Sequence, residues 1–225
     1  MTRLFDPDTL VRTYRDPVAL TILAVDLFPI YAVLTLGWGA AALVWLYWLE
    51  NVVLGAVALA RMTAASVKES PIGLLGMLFI GPFFVVHYGM FCFVHGIFVN
   101  AFAGISTNTA PDFLTPLGLI QTGLNSAPHM HAFIYAIIAL QVFLFFRDYI
   151  ARGQFREAKV DAEMGAPYAR VVVLHIGLFA GAFALVAIGQ PLWGVLSLIL
   201  LRAAWGVFIT VRRRLALDTA TERKS

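Results

Sequence analysis

The sequence predicts an all-α integral membrane protein, a single-domain helical bundle of six transmembrane helices with both termini in the cytoplasm. Three observations lead to this prediction. The chain of 225 residues is 60% hydrophobic and only 13% charged, and its mean hydropathy is +0.83. Its apolar residues come in unbroken runs of about 20, the length with which a helix crosses a hydrocarbon core ~30 Å thick. All 16 Lys and Arg residues fall on or toward one side of the six-span arrangement.

Other classes of protein fit the composition poorly. Transmembrane β-barrels need short alternating segments, which these continuous apolar runs are not. The polar segment Met1–Pro17 precedes an apolar run too long for the core of a signal peptide, so no cleavage is expected. Cys92 is the single cysteine and excludes an intrachain disulfide. The net charge of +3 is weak support for a nucleic-acid partner, and the lipid bilayer is the partner that the sequence predicts.

The apolar runs define the expected elements in order. The six predicted spans are Val18–Leu36, Trp38–Ala60, Ile72–Phe102, His129–Phe146, Val171–Ile188 and Leu192–Val211. Gly37 between the first two spans, and Gly189 between the last two, predict two tight antiparallel hairpins. The third run is long enough to tilt or to extend beyond the bilayer, and Pro82 lies inside it.

The connection between the third and fourth spans contains a further helical pattern. Its apolar residues at roughly helical spacing are Phe113, Leu114, Leu117, Ile120 and Leu124. They predict a short helix lying on the outer surface of the membrane, with a re-entrant turn over the bundle mouth as the alternative. Ser126 is expected to cap the fourth span.

The distribution of basic residues predicts the orientation. The connections around Gly37, from Ala103 to Pro128 and around Gln190 contain no Lys or Arg, whereas the other connections and both termini are basic. Basic loops stay in the cytoplasm, which predicts a multi-pass protein of the bacterial inner membrane. The basic connection Arg147–Arg170 is expected to be a solvated helical segment near anionic headgroups.

Charged and histidine side chains inside the spans are the candidate functional residues. At a depth near the midplane the sequence places Asp26, Glu50, His87 and Arg202. Each charge there costs about 2.5–3.5 kcal/mol on insertion scales. His95 and His131 lie roughly 10–12 Å further out at matching levels. His175 lies toward the cytoplasmic end of the fifth span.

Glu50 and His87 are the most specific pair of candidate site residues. Tyr47, Glu50 and Asn51 cover one face of the second span. A carboxylate that faces an imidazole in a low dielectric can hold a proton or orient a metal ligand, so we expect Glu50 and His87 to lie close together. His87 and His95 are expected to share a broad face of the third span. In the alternative interpretation these polar groups only lock the bundle, with Arg202 as their counter-ion.

A metal site is the next hypothesis. Its candidate ligands are Glu50, His87 and His95, with His131 and His175 as weaker ones, and a transition metal such as zinc is the first candidate cofactor. A single b-type haem is the second, because His95 and His131 lie at one level on two spans. The sequence contains neither the H-E-x-x-H zinc motif nor a G-x-S-x-G nucleophile, so it leaves open whether the chain is an enzyme.

Three segments together resemble a known family. They are Tyr47-Trp48-Leu49-Glu50, then His87 to Phe91 running on to His95-Gly96-Ile97-Phe98, and then Met164 to Arg170 leading to Leu174-His175. This combination resembles a bacterial family of polytopic membrane proteins described as domain of unknown function 6498. The resemblance implies that Glu50, His87, His95, Arg170 and His175 belong to one shared pattern, and it implies no activity.

The leading functional hypothesis is therefore an inner-membrane protein with a buried Glu/His site that handles a metal ion or protons. The first alternative is a proton-coupled transporter of small solutes, in which Asp26 and Glu50 would titrate. Paired repeats, which many transporters contain, are not evident in the sequence. The second alternative is a structural or partner-binding membrane protein.

Overall fold

The computed structural model describes residues 11, 13–69, 71–102, 115–168, 171–172, 204, 206–208 and 210–211. The regular structure of these residues is helical, and they contain no strand. The helices are α1 (Pro17–Thr35), α2 (Ala40–Glu69), α3 (Pro71–Phe102), α4 (Pro116–Leu124) and α5 (Met130–Leu144). After α5 come a π-helical turn, Phe145–Ala151, a 3-10 turn, Gln154–Arg156, and a further helix, α6, at residues 160–168.

Four helices of the described residues are long and apolar enough to cross a membrane. They are Pro17–Thr35, Ala40–Val67, Gly73–Ala101 and Met130–Ala151. They match the first four predicted spans in order. The predicted ends of the second and fourth spans were too early, because hydropathy marks the edge of the hydrocarbon whereas helical hydrogen bonding continues into polar sequence. The fifth and sixth predicted spans lie almost entirely outside the described residues, so six spans and the orientation stay predictions.

The chain divides into two compact units, residues 1–37 with 180–225, and residues 38–179. In the first unit Asp16 caps α1, since its Oδ1 atom accepts a hydrogen bond from the Val18 amide at 3.0 Å. Gly37, just after α1, has a φ of +68°, a left-handed conformation that suits glycine. Asp26 of α1 lies so close to Gly206 that a Cβ atom there would clash with its carboxylate.

Helix α2 is the centre of the second unit. Of its membrane-spanning window 61% is buried within the protein, against 22% for α3 and 28% for α5. It contacts α3, α4, α5 and both turns that follow α5. Its side chains Leu43, Trp45 and Leu46 are fully buried. The second span is therefore the one whose polar residues are shielded from lipid.

Small residues let α2, α3 and α4 approach closely. The Tyr88 ring of α3 occupies the space beside Gly55 of α2, and the Trp48 ring of α2 occupies the space beside Gly96 of α3. Close approach at glycine is a common way for membrane helices to gain van der Waals contact. Together with the contact of Leu59 with Gly81, these contacts place α2 and α3 antiparallel.

The short helix expected from the sequence before the fourth span is α4, while its place on the outer surface stays a prediction. Thr115 caps it, accepting a hydrogen bond from the Gly118 amide at 3.0 Å, and its buried residues Leu119 and Gly123 pack against α2 and α3. The expected cap of the fourth span was wrong. The Ser126 hydroxyl instead donates to the Gly123 carbonyl at 2.7 Å, and the residue before α5 is His129, which provides no side-chain cap.

The connection after α5 is not the solvated segment that the sequence predicted. In α6 the side chains of Val160, Met164 and Tyr168 pack against a buried cluster that includes Met62 of α2 and Phe84 of α3. Their spacing of four residues puts the three on one helical face. This face covers apolar surface of the bundle, so α6 belongs to the folded core.

Candidate functional site

Several polar side chains of the two apolar helices α2 and α3 are buried within the protein. Their exposed fractions are 3% for Tyr47, 4% for Glu50, 1% for Asn51, 6% for His95 and 6% for Asn100. The three α2 residues recur at three- and four-residue spacing and so share the face that the sequence predicted. We refer to these five residues as the buried polar row.

Two hydrogen bonds from side chains to backbone carbonyls tie α2 to α3. The Trp48 Nε1–H group of α2 donates to the Cys92 carbonyl at 2.8 Å, and the Tyr88 hydroxyl of α3 donates to the Asn51 carbonyl at 3.0 Å. Glu50 lies between Trp48 and Asn51 in the chain. Its backbone is therefore held at the height of the α3 segment between residues 88 and 96, which includes His95.

Several polar atoms of this interface have no hydrogen-bond partner within the part of the chain that the structure describes. They are both side-chain amide atoms of Asn51, the Oδ1 atom of Asn100 and the Nε1 atom of Trp45. A buried polar group without a partner is costly, and most costly where no bulk water reaches it. The interface thus offers both donors and acceptors to a small polar species such as water.

His87 lies in different surroundings. It is exposed, its Nδ1 atom is 2.7 Å from the hydroxyl oxygen of Tyr168 in α6, and its ring stacks on Phe83 at 5.4 Å. Burial, followed by the nearby Cys92 thiol, raises the pKa of Tyr168, which precedes the predicted fifth span. The phenol is therefore neutral at pH 7, and its O–H group can donate to an unprotonated Nδ1 atom.

The structure sorts the predicted residues into separate groups. Glu50 is buried, whereas His87 is exposed and contacts α6, so their direct pairing stays a prediction. His87 and His95 were expected to share a broad face of the third span. In the α-helix they stand about 80° apart around the axis, and the structure buries only His95, which lies with Tyr88 and Cys92 on the buried side of α3.

The metal hypothesis has no support from this geometry. Among the described ranges, no three His, Cys, Asp or Glu side chains lie close enough together to hold a metal ion. His131, at the start of α5, is exposed, whereas His95 is buried. His175, Arg170 and Arg202 lie outside the described residues. The zinc and haem hypotheses therefore stay predictions.

A second polar cluster lies at the end of α2, and sequence reasoning missed it. The Arg61 guanidinium stands 5.1 Å above the Tyr149 ring and 3.8 Å from the Glu163 carboxylate of α6. The Tyr149 hydroxyl donates to the Arg61 carbonyl at 3.0 Å. Asp148, also in the π-helical turn, is 1% exposed and pairs with Arg152 at 2.9 Å. A π-helical turn is not visible in hydropathy, since it changes which residues face inward without changing composition.

Tyr168 was also missed as a partner of His87. The available signal was the apolar spacing of Val160, Met164 and Tyr168, which indicated a packed helix rather than a solvated connection. The ring of Tyr168 also meets Phe84 and Tyr88 edge-on, at 6.4 and 5.4 Å between ring centroids. Tyr168 thus joins the exposed imidazole to the buried side of α3.

One family model matches almost the whole chain. It covers residues 9–223 and is described as a family of unknown function, DUF6498. No curated protein and no solved structure matches the chain.

Proposed function

Because the chain belongs to the DUF6498 family, whose function is unknown, its activity has to be inferred from its own residues, and we propose a buried proton-binding site. In this proposal the protein spans the bacterial inner membrane several times, and Glu50 and His95 share a proton at the α2–α3 interface. The observation that carries the proposal is the burial of both side chains, with 4% and 6% of their surfaces exposed, on two apolar helices that pack against each other.

The chemistry of the pair favours a proton over a fixed charge. Burying an isolated carboxylate in a low dielectric is expensive, whereas a carboxyl and an imidazole that share one proton can exchange it at little cost in net charge. Ionisable groups within transmembrane helices commonly form proton relays and ion pathways. The Asn51 amide follows Glu50 in the chain and has no hydrogen-bond partner among the described residues, so it is suited to hold a water molecule that carries the proton onward.

The proposal is tested by infrared difference spectroscopy of the protein in lipid nanodiscs, titrated from about pH 9 to about pH 4. A carboxyl C=O band that appears on acidification and is missing in Glu50→Gln is expected, and His95→Gln should shift its midpoint. Glu163→Gln is the matched control, since it removes a carboxylate that lies outside the interface. A spectrum in which no carboxyl band depends on Glu50 would overturn the proposal.

The same samples separate the remaining hypotheses. Zinc bound to the wild-type protein and lost in both Glu50→Gln and His95→Gln, without a titrating band, would replace the proton site by a metal site. Lower thermal stability in both variants, with neither metal nor a titrating band, would leave only the structural role. Proton flux into liposomes that depends on a solute gradient would favour the transporter.

A further inference from the structure

We propose that the cluster of Arg61, Tyr149 and Glu163 binds the phosphate group of an anionic phospholipid, with Arg61 as the residue that contacts the phosphate. This inference is independent of the proposed proton site. It is carried by contacts that hold the Arg61 guanidinium in one position while leaving N–H groups of it without an acceptor among the described residues.

Tyr149 makes two contacts with Arg61. Its ring centroid is 5.1 Å from the central carbon of the guanidinium, and its hydroxyl donates to the Arg61 backbone carbonyl at 3.0 Å. Tyr149 is itself buried, and its ring stacks on Phe145 at 5.7 Å. A cation over an aromatic face is attracted to the ring, and a side chain that is already held loses less freedom when it binds a ligand. Arg61 is therefore positioned in advance for an anion.

The guanidinium of Arg61 retains donors for a ligand. Its Nε atom is buried and has no hydrogen-bond partner within the part of the chain that the structure describes. Its Nη1 atom is 3.8 Å from the Glu163 Oε2 atom, which is too long for a hydrogen bond. The Arg61 side chain is one-third exposed and the Glu163 side chain is less exposed, so a ligand reaches the cation more readily than the carboxylate. The planar fork of arginine donors matches the oxygens of a phosphate.

The cluster lies near the ends of two candidate spans, at the level of phospholipid headgroups. The candidate span of α2 has 28 residues, about 42 Å at 1.5 Å per residue, whereas the hydrocarbon core is ~30 Å thick. Arg61 directly follows the apolar run that predicts the second span, and Tyr149 is two residues before the end of the candidate span Met130–Ala151. Tyrosine is common at this depth, and arginine extends its charged end toward it.

The apolar surroundings of the cluster favour a lipid over a free phosphate ion. Phe146 and Ile150, in the same π-helical turn as Tyr149, are exposed large hydrophobic residues. They offer apolar surface to acyl chains, whose burial adds affinity that a free ion lacks. An anionic lipid is favoured over a zwitterionic one, because the phosphate charge of a zwitterionic headgroup is partly neutralised by its own ammonium group.

Native mass spectrometry of the full chain, delipidated in detergent and titrated with phosphatidylglycerol, tests the site. We expect one lipid to bind more tightly than any further ones. Arg61→Gln should weaken this binding about tenfold or more, since it removes hydrogen bonds to a charged group. Arg156→Gln is the matched control, because it removes the same charge from an exposed side chain that lies over its neighbour Phe155. Its affinity for the lipid should stay within about twofold of the wild type.

A second pair of variants should separate a gain of binding from a general effect of charge. Glu163→Gln removes the carboxylate that lies beside Arg61 and repels a phosphate, so it should tighten the binding about threefold or more. Glu157→Gln changes the net charge equally at an exposed position and should stay within about twofold of the wild type. A purely structural role of Arg61 predicts no tighter binding in Glu163→Gln.

The affinity of Arg61→Gln decides the matter if this variant folds. A wild-type affinity, or an equal loss in Arg156→Gln, would overturn the proposal. If Arg61→Gln does not fold, equal affinities of Glu163→Gln and Glu157→Gln would overturn it. Equally tight binding of phosphatidylcholine would show that the site does not select an anionic headgroup, and displacement of phosphatidylglycerol by millimolar inorganic phosphate would make a free ion the ligand. Either result would overturn the anionic lipid as the ligand.

Discussion

At the scale of single residues, the α2–α3 interface combines close apolar contact with buried polar groups. Trp48 shows both roles, because its ring fills the space beside Gly96 while its Nε1–H group satisfies the Cys92 carbonyl. A helical carbonyl that accepts a second hydrogen bond ties two helices without breaking either one. Tyr88 acts in the same way on Asn51. The position of Glu50 therefore depends on neighbours that are themselves fixed to the backbone.

Two glycines of α3, Gly96 and Gly89, should differ strongly in how much their substitution by alanine destabilises the protein. A Cβ atom at Gly96 would lie 2.8 Å from the Trp48 ring and 2.9 Å from Leu119, whereas one at Gly89 would meet nothing within 4 Å. Gly96→Ala should therefore destabilise the protein by about 1–3 kcal/mol. Gly89→Ala should be neutral or stabilising by up to ~1 kcal/mol. Reversible unfolding in detergent measures both, and equal effects would contradict this account of the interface.

Removing the Tyr88 hydroxyl should destabilise the protein less than the Gly96→Ala substitution does. Tyr88→Phe keeps the ring beside Gly55 and removes the hydrogen bond to the Asn51 carbonyl. We expect a loss of about 0.5–1.5 kcal/mol in the free energy of unfolding, the usual net value of one such bond. Tyr135→Phe, on the exposed face of α5, should change the stability little. A Tyr88→Phe protein as stable as the control would show that the bond contributes nothing.

At the scale of elements, α6 is held mainly by its apolar face. The Arg61–Glu163 pair is long at 3.8 Å and the Arg61 side chain is one-third exposed, so this ion pair contributes little. Val160, Met164 and Tyr168 instead cover the cluster around Met62 and Phe84. Apolar burial of this kind is the larger contribution to docking.

Two neighbouring substitutions test how α6 is held. Met164→Ala removes apolar contact and should loosen α6, so trypsin should cut after Lys159 at least several-fold faster than in the wild type. Glu163→Gln removes only the long ion pair and should leave the cleavage rate within about twofold. Limited proteolysis in nanodiscs followed by mass spectrometry measures both. Faster cleavage in Glu163→Gln than in Met164→Ala would show that the ion pair is the main anchor.

At the scale of the whole molecule, the basic residues predict which ends of the spans face the cytoplasm. The turns after α5 carry Arg147, Arg152 and Arg156, whereas the connection from Ala103 to Pro128 carries no Lys or Arg. Basic residues near span ends remain on the cytoplasmic side. Both termini share that side in the six-span arrangement.

Single-cysteine labelling tests this orientation. The only native cysteine, Cys92, is buried, so Cys92→Ala provides a background without reactive thiols. In intact cells a membrane-impermeant maleimide that enters the periplasm should label Asn125→Cys, and it should label Arg152→Cys only after the cells are opened. Reporter fusions after Ser225 should report the cytoplasm. Labelling of Arg152→Cys in intact cells would contradict the predicted orientation.

The sequence by itself determined the membrane class, the family and the positions of the first four spans. These follow from local properties, because a helix that crosses lipid must satisfy its backbone internally and must be apolar over a set length. The helical spacing before Leu124 was likewise visible as a local signal. Glu50, Asn51 and His95 could be selected as candidates because polar side chains are rare within such runs.

Only the tertiary structure decided which of these residues share an interface. Helix α3 is apolar all round, so no polar stripe marks the side that turns toward α2, and the sequence did not indicate which of His87 and His95 is buried. Shape determines which side of α3 faces α2, since Trp48 fits beside Gly96 and Tyr88 fits beside Gly55. His95 is buried in this packing, whereas His87 contacts Tyr168, a partner 81 residues away in the chain that no local pattern could identify.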